Sequence, residues 1–370
     1  MNRLVNEQPR IVIMAGGTGG HVYPALAVAR ALREAGAAVS WLGTRRGLEA
    51  RVVPEAGFPI DYIRIAGLRG NGALGWLLAP WRIMRALSES RAILRRRRPQ
   101  AVLGMGGFAS GPGGLAARLS GRPLLIHEQN AAAGLTNRLL APLAARVMEA
   151  FPGTFRERAG ALLTGNPVRT EIAAIDGPGA RYLRRDGPLR LFVVGGSLGA
   201  SALNSALPAA LGRLPEPVRP QVRHQTGPQH LEATRAGYLD AAVEAEVLPY
   251  VEEMAEAYAW ADLVVCRAGA LTVSELAAAG VPAILVPFPY AVDDHQTRNA
   301  RYLTDAGAAV LLPQGELTPE RLADLLNEFT QTGRERLRAM AESARRLARP
   351  EATALVVRQC LAVARGESMV

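Results

Sequence analysis

Short apolar runs alternate with amphipathic helical segments along the first half of the chain. The run Ile11–Ala15 is followed by the helical pattern Tyr23–Ala35 and then by the run Val39–Gly43. Two further runs, Ala101–Leu103 and Leu124–Ile126, continue the series. Strands separated by helices are typical of parallel βαβ units, so the pattern predicts a doubly wound α/β domain.

A second series of the same kind begins near Leu189. Its apolar runs and its clearest helix are Leu191–Val194, Val222–Gln225, Asp262–Cys266, Ala283–Val286 and the helix Leu271–Ala279. Turn residues concentrate between Thr164 and Pro188, which predicts a domain boundary and hinge there. The sequence therefore predicts two doubly wound domains.

Both series open with a strand, a glycine turn and the start of a helix. The turns are Gly16–Gly20 and Gly195–Gly199. A glycine turn that enters a helix offers unpaired backbone N–H groups and the positive end of the helix dipole, which suits a phosphate or diphosphate. Neither turn has the spacing of the nicotinamide fingerprint. Because ligands of open α/β sheets gather at the carboxyl ends of the strands, we expect these turns to line a cleft between the two domains.

The net charge of +10 is weaker evidence for an anionic partner than its size suggests. All basic residues are arginine, which indicates codon bias, and no helix-turn-helix, RNP-like or zinc motif supports nucleic-acid binding. Cys266 and Cys360 lie far apart in apolar surroundings, so neither a disulfide framework nor a metal cluster is expected. Residues 1–10 lack the apolar core of a signal peptide and no long apolar run appears, which predicts a cytoplasmic protein.

Three further segments carry candidate chemistry. Gly104–Gly114 places flexible backbone after a strand, and His127-Glu128-Gln129-Asn130 clusters four polar side chains where another strand ends. In Ala268–Glu275 a helix begins just after a strand, with Thr272 and Glu275 near its first turn. A hydroxyl followed three residues later by glutamate is also the signature of a capping box, so capping and ligand binding both remain open for this pair.

Taken together, these segments resemble the MurG-type transferases, the UDP-N-acetylglucosamine:lipid I N-acetylglucosaminyltransferases of peptidoglycan assembly. The resemblance spans nearly the whole chain, and its blocks are Gly16–Pro24, Gly67–Gly70, Gly104–Gly114, His127–Asn130, Gly134–Asn137, Gly165–Arg169, Gly195–Ala200, Ala268–Glu275 and His295-Gln296. The chain departs from the family at Leu198, where glutamine is common, and at Ala132-Ala133, where a loop with proline is usual.

The resemblance implies a GT-B fold of two Rossmann-like domains. Residues 1–167 would form an acceptor- and membrane-binding domain, residues 168–350 would bind the UDP-sugar, and a helix at about 351–365 would pack back on the first domain. The activity implied is inverting transfer of N-acetylglucosamine from UDP-N-acetylglucosamine to the C4 hydroxyl of lipid I, forming lipid II at the cytoplasmic face of the plasma membrane. The alternative is another GT-B enzyme that uses a UDP-sugar, such as a UDP-N-acetylglucosamine epimerase. Cell-wall synthesis or division proteins are the implied protein partners, and no nucleic acid is expected.

The family's roles carry over to particular positions of this chain. Residues expected to bind UDP-N-acetylglucosamine are Thr18, Gly19, Gly20, Asn130, Arg169, Ser197, Val251, Ala270, Leu271, Thr272, Val273, Ser274, Glu275 and Gln296. Among them, Glu275 would accept hydrogen bonds from the ribose hydroxyls, and Val251 would meet the uracil through its backbone. The acceptor diphosphate is expected at Gly17, Gly104, Gly106 and Gly107.

Inversion at the anomeric carbon requires one general base and a stabilised leaving group. His21 and Glu128 are the candidate bases, and the sequence does not order them; Glu128 is also a candidate for orienting the acceptor. An imidazole with a pKa near ~6.5 suits proton transfer at neutral pH. Helix N-termini and backbone amides could stabilise the departing UDP, so neither a cofactor nor a metal is expected. The pair Asp293-Asp294 is adjacent rather than spaced as Asp-x-Asp, and helix capping is its expected role.

An apolar segment that ends in clustered arginines predicts contact with an anionic membrane surface. The residues expected to make this contact are Leu74, Trp76, Leu77, Trp81 and Arg85. Pro80 should start or kink a helix here. The alternative is a core helix with a solvated basic end.

Overall fold

The computed structural model describes residues 8–65, 78–196 and 199–367. The chain divides into two compact units, one formed by the residues up to Pro167 together with those from Pro350 onward, and the other by Val168–Arg349. The expected residues Leu74, Trp76, Leu77 and Ser197, and the block Gly67–Gly70, lie outside the described residues.

The N-terminal unit is built on a seven-stranded sheet in the order β3-β2-β1-β4-β5-β6-β7. Its strands are β1 Arg10–Met14, β2 Ala38–Gly43, β3 Ile60–Tyr62, β4 Ala101–Gly104, β5 Leu124–Glu128, β6 Arg146–Glu149 and β7 Leu162–Leu163. Its first five helices are α1 Gly19–Glu34, α2 Glu49–Glu55, α3 Ala79–Arg97, α4 Ser110–Leu119 and α5 Leu135–Leu140. All strand pairs are parallel, which confirms the predicted βαβ pattern.

The C-terminal unit has a six-stranded parallel sheet in the order β10-β9-β8-β11-β12-β13. Its strands are β8 Arg190–Val194, β9 Gln221–Gln225, β10 Glu246–Leu248, β11 Leu263–Cys266, β12 Ala283–Leu285 and β13 Ala309–Leu311. Its helices are α6 Thr170–Ala173, α7 Pro178–Leu183, α8 Ser201–Gly212, α9 Leu231–Asp240, α10 Met254–Trp260, α11 Ala270–Ala279, α12 His295–Thr304 and α13 Pro319–Arg346, the last with a break at Gly333.

The last helix, α14 (Ala352–Arg365), packs against α1 of the N-terminal unit. Its Val356 and Cys360 are fully buried in the core that also contains Ile11 and Ile13 of β1. The alternate residues of β1 face a second core under α3 and α4, as the period of a strand requires. The N-terminal sheet is therefore covered on both faces.

In each sheet the first strand lies where the strand order reverses. β1 pairs with β2 on one side and β4 on the other, and β8 pairs in the same way with β9 and β11. This reversal is the position at which open α/β sheets bind ligands, beyond the carboxyl ends of the strands. The two glycine turns follow these two strands.

Candidate functional site

The first glycine turn is held by a buried carboxylate that the sequence analysis missed. Glu49 accepts hydrogen bonds from the amides of Gly17 (3.0 Å) and Thr44 (2.9 Å). A Cβ on Gly16 would come within 2.5 Å of this carboxylate, so the turn needs glycine there. The Gly17 amide thus already has an acceptor, whereas the amides of Thr18, Gly19 and Gly20 have none among the described residues.

The glycine-rich segment Gly104–Gly114 packs directly on the first glycine turn, Gly16–Gly20. Gly106 and Gly107 have positive φ values of 95° and 86°, which favour glycine. A Cβ on Gly107 would lie 2.4 Å from the Gly16 carbonyl oxygen, and one on Gly106 would lie 2.7 Å from Nδ1 of His21. Close packing therefore explains these two glycines. Their contact with an acceptor diphosphate, like that of Gly17 and Gly104, stays a prediction.

His21 lies in the first turn of α1 and is half-buried. Its Nδ1 is 2.9 Å from Oε1 of Gln129, a buried side chain just beyond β5. The helix begins four residues before the predicted start at Tyr23, because the glycines of the turn adopt helical geometry from Gly19. The structure thus brings together His21 and the polar segment 127–130.

Within that segment, His127 is fully buried at the end of β5. Its Nε2 lies 3.0 Å from the carbonyl oxygen of Gly165 and 3.1 Å from Oγ1 of Thr164. Its Nδ1 lies 2.9 Å from Nε2 of Gln129. Burial lowers the pKa of His127 to about 4, so the imidazole is neutral at pH 7.

Glu128 is also buried, and both of its carboxylate oxygens are engaged. Oε1 accepts from the backbone amide and the side-chain amide of Asn130, at 3.0 and 3.2 Å. Oε2 accepts from the Gly134 amide (3.1 Å) and from Nδ2 of Asn137 (2.8 Å). These four hydrogen bonds hold the loop between β5 and α5 in one conformation, including the Ala132-Ala133 segment that departs from the family pattern.

In the C-terminal unit, the second glycine turn packs against the end of β9. Gly199 has φ 77°, and a Cβ there would lie 1.9 Å from the carbonyl oxygen of Thr226. The Gly199 amide donates to the Gly196 carbonyl at 2.8 Å, which closes the turn. The turn leads into α8, so the predicted strand, turn and helix order is confirmed here.

The capping interpretation of Thr272 and Glu275 is wrong. Helix α11 begins at Ala270 with Gly269 as its N-cap residue and no side-chain cap, so Thr272 and Glu275 already lie inside the helix. Glu275 is buried and accepts a hydrogen bond from the Tyr258 hydroxyl (3.1 Å). Burial raises its pKa to about 7, and the positive charge of Arg169 opposes that rise.

The remaining expected donor residues are distributed along the same sheet edge. Val251 follows β10, and Gln296 lies in the first turn of α12, where its Oε1 accepts from the Phe288 amide at 2.8 Å. Of the helix α11 residues, Ala270 and Val273 have buried side chains, while Leu271, Thr272 and Ser274 are half-buried. The hydroxyl of Ser274 donates to the Ala270 carbonyl oxygen at 2.9 Å.

The expected helix capping by the pair Asp293-Asp294 is wrong for Asp294. Asp294 precedes α12, but its carboxylate accepts from the Thr297 hydroxyl (2.6 Å) and makes no capping bond to the backbone. Across the described ranges, no group of three or more His, Cys, Asp or Glu side chains is placed to hold a metal ion.

Helix α3 has an apolar, exposed beginning. Pro80 lies in its first turn, as predicted, and Trp81 and Met84 are 62% and 63% exposed. Arg85 stacks over the Trp81 ring at 5.5 Å and pairs with Glu89 at 3.1 Å. The buried residues of α3 are Ala79, Ala86, Ser90, Ile93 and Leu94, so the large side chains of Trp81 and Met84 lie outside the core. Among the described residues, no helix combines the length and the apolar character that a bilayer crossing requires.

Comparison with known proteins gives the same family across both units. The model of the glycosyltransferase family 28 N-terminal domain matches residues 11–149, and that of the family 28 C-terminal domain matches residues 190–355.

Curated relatives match over nearly the whole length. The proteins of Alkalilimnicola ehrlichii (59% identical, 96% of this chain and 99% of the relative) and Marinobacter nauticus (57%, 96% and 98%) are both named UDP-N-acetylglucosamine–N-acetylmuramyl-(pentapeptide) pyrophosphoryl-undecaprenol N-acetylglucosamine transferase. A crystal structure of MurG from Acinetobacter baumannii is 46% identical, with a TM-score of 0.83 over 95% of this chain and 99% of that one. These matches confirm the expected GT-B fold.

Proposed function

This chain belongs to the MurG-type transferases of glycosyltransferase family 28, and we propose that it transfers N-acetylglucosamine from UDP-N-acetylglucosamine to the C4 hydroxyl of lipid I, forming lipid II. Identity above half of all positions along 96% of the chain carries the assignment. In the reaction, the acceptor oxygen attacks the anomeric carbon from the face opposite UDP. The bond from that carbon to the diphosphate oxygen breaks, and UDP leaves with the electron pair.

His21 is the proposed general base that takes the proton of the attacking hydroxyl. It is half-buried at the carboxyl edge of the sheet, and its Nδ1 is engaged with Gln129, which leaves Nε2 to face the acceptor. Glu128 fits this role less well, because all four of its hydrogen bonds hold the loop 128–137. We propose that Glu128 instead orients the acceptor, through the loop that it holds.

The donor nucleotide is proposed to bind at the carboxyl edge of the C-terminal sheet. Glu275 has one oxygen engaged by Tyr258 and would accept the ribose hydroxyls with its carboxylate, a charge-assisted interaction. The diphosphate would meet Ser197, the Gly195-Gly196 turn and the first turn of α11. Backbone amides there and helix dipoles would stabilise the negative charge on departing UDP without a metal.

The first turns of α3 are proposed to contact an anionic membrane surface. Trp81 and Met84 present exposed apolar area, and Arg85 lies beside them with a cationic head group. A contiguous exposed apolar patch on a soluble protein marks a protein or membrane interaction site, and tryptophan is suited to the bilayer interface. The expected contacts with other cell-wall synthesis or division proteins rest on the family resemblance alone.

A transfer assay tests the proposed function. The purified chain is mixed with radiolabelled UDP-N-acetylglucosamine and a short-chain lipid I analogue, and the labelled lipid product is separated from the nucleotide. Label in the lipid, together with one UDP released per product, supports the proposal. Conversion of UDP-N-acetylglucosamine without any acceptor would favour the epimerase alternative and would contradict the proposal.

A further inference from the structure

We propose that Gln129, itself held by His127, fixes the tautomer of His21 so that Nδ1 carries the proton and Nε2 offers a lone pair to the acceptor hydroxyl. The inference rests on the proposed function in one respect, the assignment of His21 as base. Gln129 touches no substrate in this proposal. It is a positioning residue, and it acts through the imidazole.

The direction of each hydrogen bond from His127 to His21 is set by the Gly165 carbonyl, the backbone acceptor at the end of the network away from His21. A carbonyl oxygen can only accept, so Nε2 of His127, at 3.0 Å from the Gly165 carbonyl, must donate. A neutral imidazole has a single N–H, and the low pKa of this buried ring keeps it neutral. Nδ1 of His127 therefore can only accept.

The orientation of the Gln129 amide follows from that. Its Nε2 lies 2.9 Å from Nδ1 of His127 and 3.2 Å from the carbonyl oxygen of the same residue. Both neighbours are acceptors, so the two N–H groups of the amide nitrogen are matched, and the opposite orientation would place an oxygen against two acceptors. Oε1 of Gln129 consequently faces His21.

The oriented Gln129 amide in turn sets the tautomer of His21. Oε1 of Gln129 can only accept, and it lies 2.9 Å from Nδ1 of His21, so Nδ1 must donate. A neutral His21 then has its lone pair on Nε2. The same contact is kept after His21 takes a proton, because Nδ1–H remains a donor in the imidazolium. The network is thus suited to both protonation states of a general base.

Without this acceptor, His21 would divide between two tautomers, one of which cannot take a proton at Nε2. In the Ser-His-Asp triad, a substitution that imposes the wrong tautomer lowers kcat by about 10⁴. Replacing Gln129 with methionine removes this preference and the hydrogen bond that orients the ring, but it imposes no wrong tautomer, so a smaller loss of roughly tenfold in kcat is expected.

Nitrogen-15 NMR of the full chain with labelled histidine measures the tautomer directly. The chain has five histidines, and the His21 signals are assigned by their loss in His21→Gln. In the wild type at a pH where His21 is neutral, we expect Nδ1 to be protonated. In Gln129→Met we expect both tautomers, together with lower kcat and an unchanged KM for UDP-N-acetylglucosamine. The control is Gln359→Met, which changes another buried glutamine of the same unit on α14 and should alter neither the spectrum nor kcat.

The wild-type spectrum tests the proposal even if Gln129→Met fails to fold, since a wild-type His21 protonated at Nε2 overturns it. A Gln129→Met spectrum like that of the wild type, or a changed tautomer with unchanged kcat, overturns it as well. Because the spectrum is recorded without substrate, a chain that fails the transfer assay but shows Nδ1–H at His21 would refute the proposed function and leave the network intact.

Discussion

Each unit buries a neutral histidine in a strand near the carboxyl edge of its sheet, but the two hydrogen-bond networks end differently. His127 in the N-terminal unit connects through Gln129 to the half-buried His21. His224 in the C-terminal unit bonds to the Tyr238 hydroxyl (2.9 Å) and to Oδ1 of Asn204 (3.0 Å), and both partners are buried.

Burial lowers the pKa of both rings, to about 4 for His127 and about 3 for His224. Neither ring titrates near neutral pH, so burial and charge do not distinguish them. The distinction lies in whether the network reaches a titratable group at the surface. One network can therefore serve a proton transfer, while the other joins α8 and α9 to β9.

The largest effect on kcat should come from replacing His21, the half-buried residue at which the hydrogen-bond network of His127 ends. His21→Ala is expected to lower kcat by roughly 10²–10⁴, because it removes the proposed general base. UDP binding, measured by calorimetry, should stay close to that of the wild type, since Glu275 and the first turn of α11, which are proposed to hold the ribose and the diphosphate, lie in the C-terminal unit. A variant with normal kcat would show that the first network has no role in the reaction.

A substitution at the proposed donor site of the C-terminal unit should change the affinity for UDP-N-acetylglucosamine instead of kcat. Glu275→Gln is expected to weaken binding of UDP-N-acetylglucosamine by roughly 10–100-fold, the effect of losing hydrogen bonds to a charged group. Because the pKa of Glu275 is about 7, wild-type affinity should rise as the pH increases through 7, and the variant should lose this rise. Calorimetry between pH 6 and 8 measures both.

The raised pKa of Glu275 also predicts that stability depends on pH. The sign is opposite to that of the affinity, because stability should fall as the pH increases. The pKa of Glu275 is raised from 4.5 to about 7, so the folded chain keeps a proton that the unfolded chain releases in this range. The free energy of unfolding should therefore fall as the pH increases from about 4.5 to 7, and Glu275→Gln should remove this contribution. A variant that loses affinity together with stability at pH 8 would indicate a structural role only.

Matched substitutions of the two buried histidines test the comparison itself. His127→Leu and His224→Leu should each lower the free energy of unfolding by about 1–3 kcal/mol, because each leaves buried polar partners unsatisfied. Only His127→Leu should also lower kcat, by roughly tenfold, since only its network ends on His21, the proposed base. Denaturant unfolding and the transfer assay supply the two measurements, and equal kcat losses in both variants would remove the distinction.

The sequence predicts the strands and turns that carry these networks better than it predicts the hydrogen bonds within them. Alternating apolar runs locate both parallel sheets, and the glycine turns locate the reversal points, because strand and turn signals depend on neighbouring residues. His21 and Gln129 are 108 positions apart, and Gly17 and Glu49 are 32 apart. No local pattern reports such contacts, so the roles of Gln129 and Glu49 become visible only in the fold.

Local signatures were also misleading where the helix began elsewhere than expected. Thr272 and Glu275 have the spacing of a capping box, but Gly269 occupies the N-cap position. Glu275 consequently lies on the buried side of α11, where desolvation raises its pKa. The first turn of α1 was missed for a related reason, since glycines are poor helix formers except where the surrounding structure holds them.

The smallest expected effect concerns the exposed beginning of α3, which belongs to neither network. Trp81→Ser should weaken binding to vesicles that contain anionic lipid by about tenfold, because part of a large aromatic surface no longer enters the bilayer interface. Leu239→Ser is the control, since Leu239 is 80% exposed in the other unit and should not affect vesicle binding. In detergent with a short-chain acceptor, both variants should retain kcat, because α3 contributes no residue to the proton transfer. Equal vesicle binding by both variants would show that exposure of Trp81 serves no membrane contact, while a kcat loss confined to Trp81→Ser in detergent would connect this helix to the reaction.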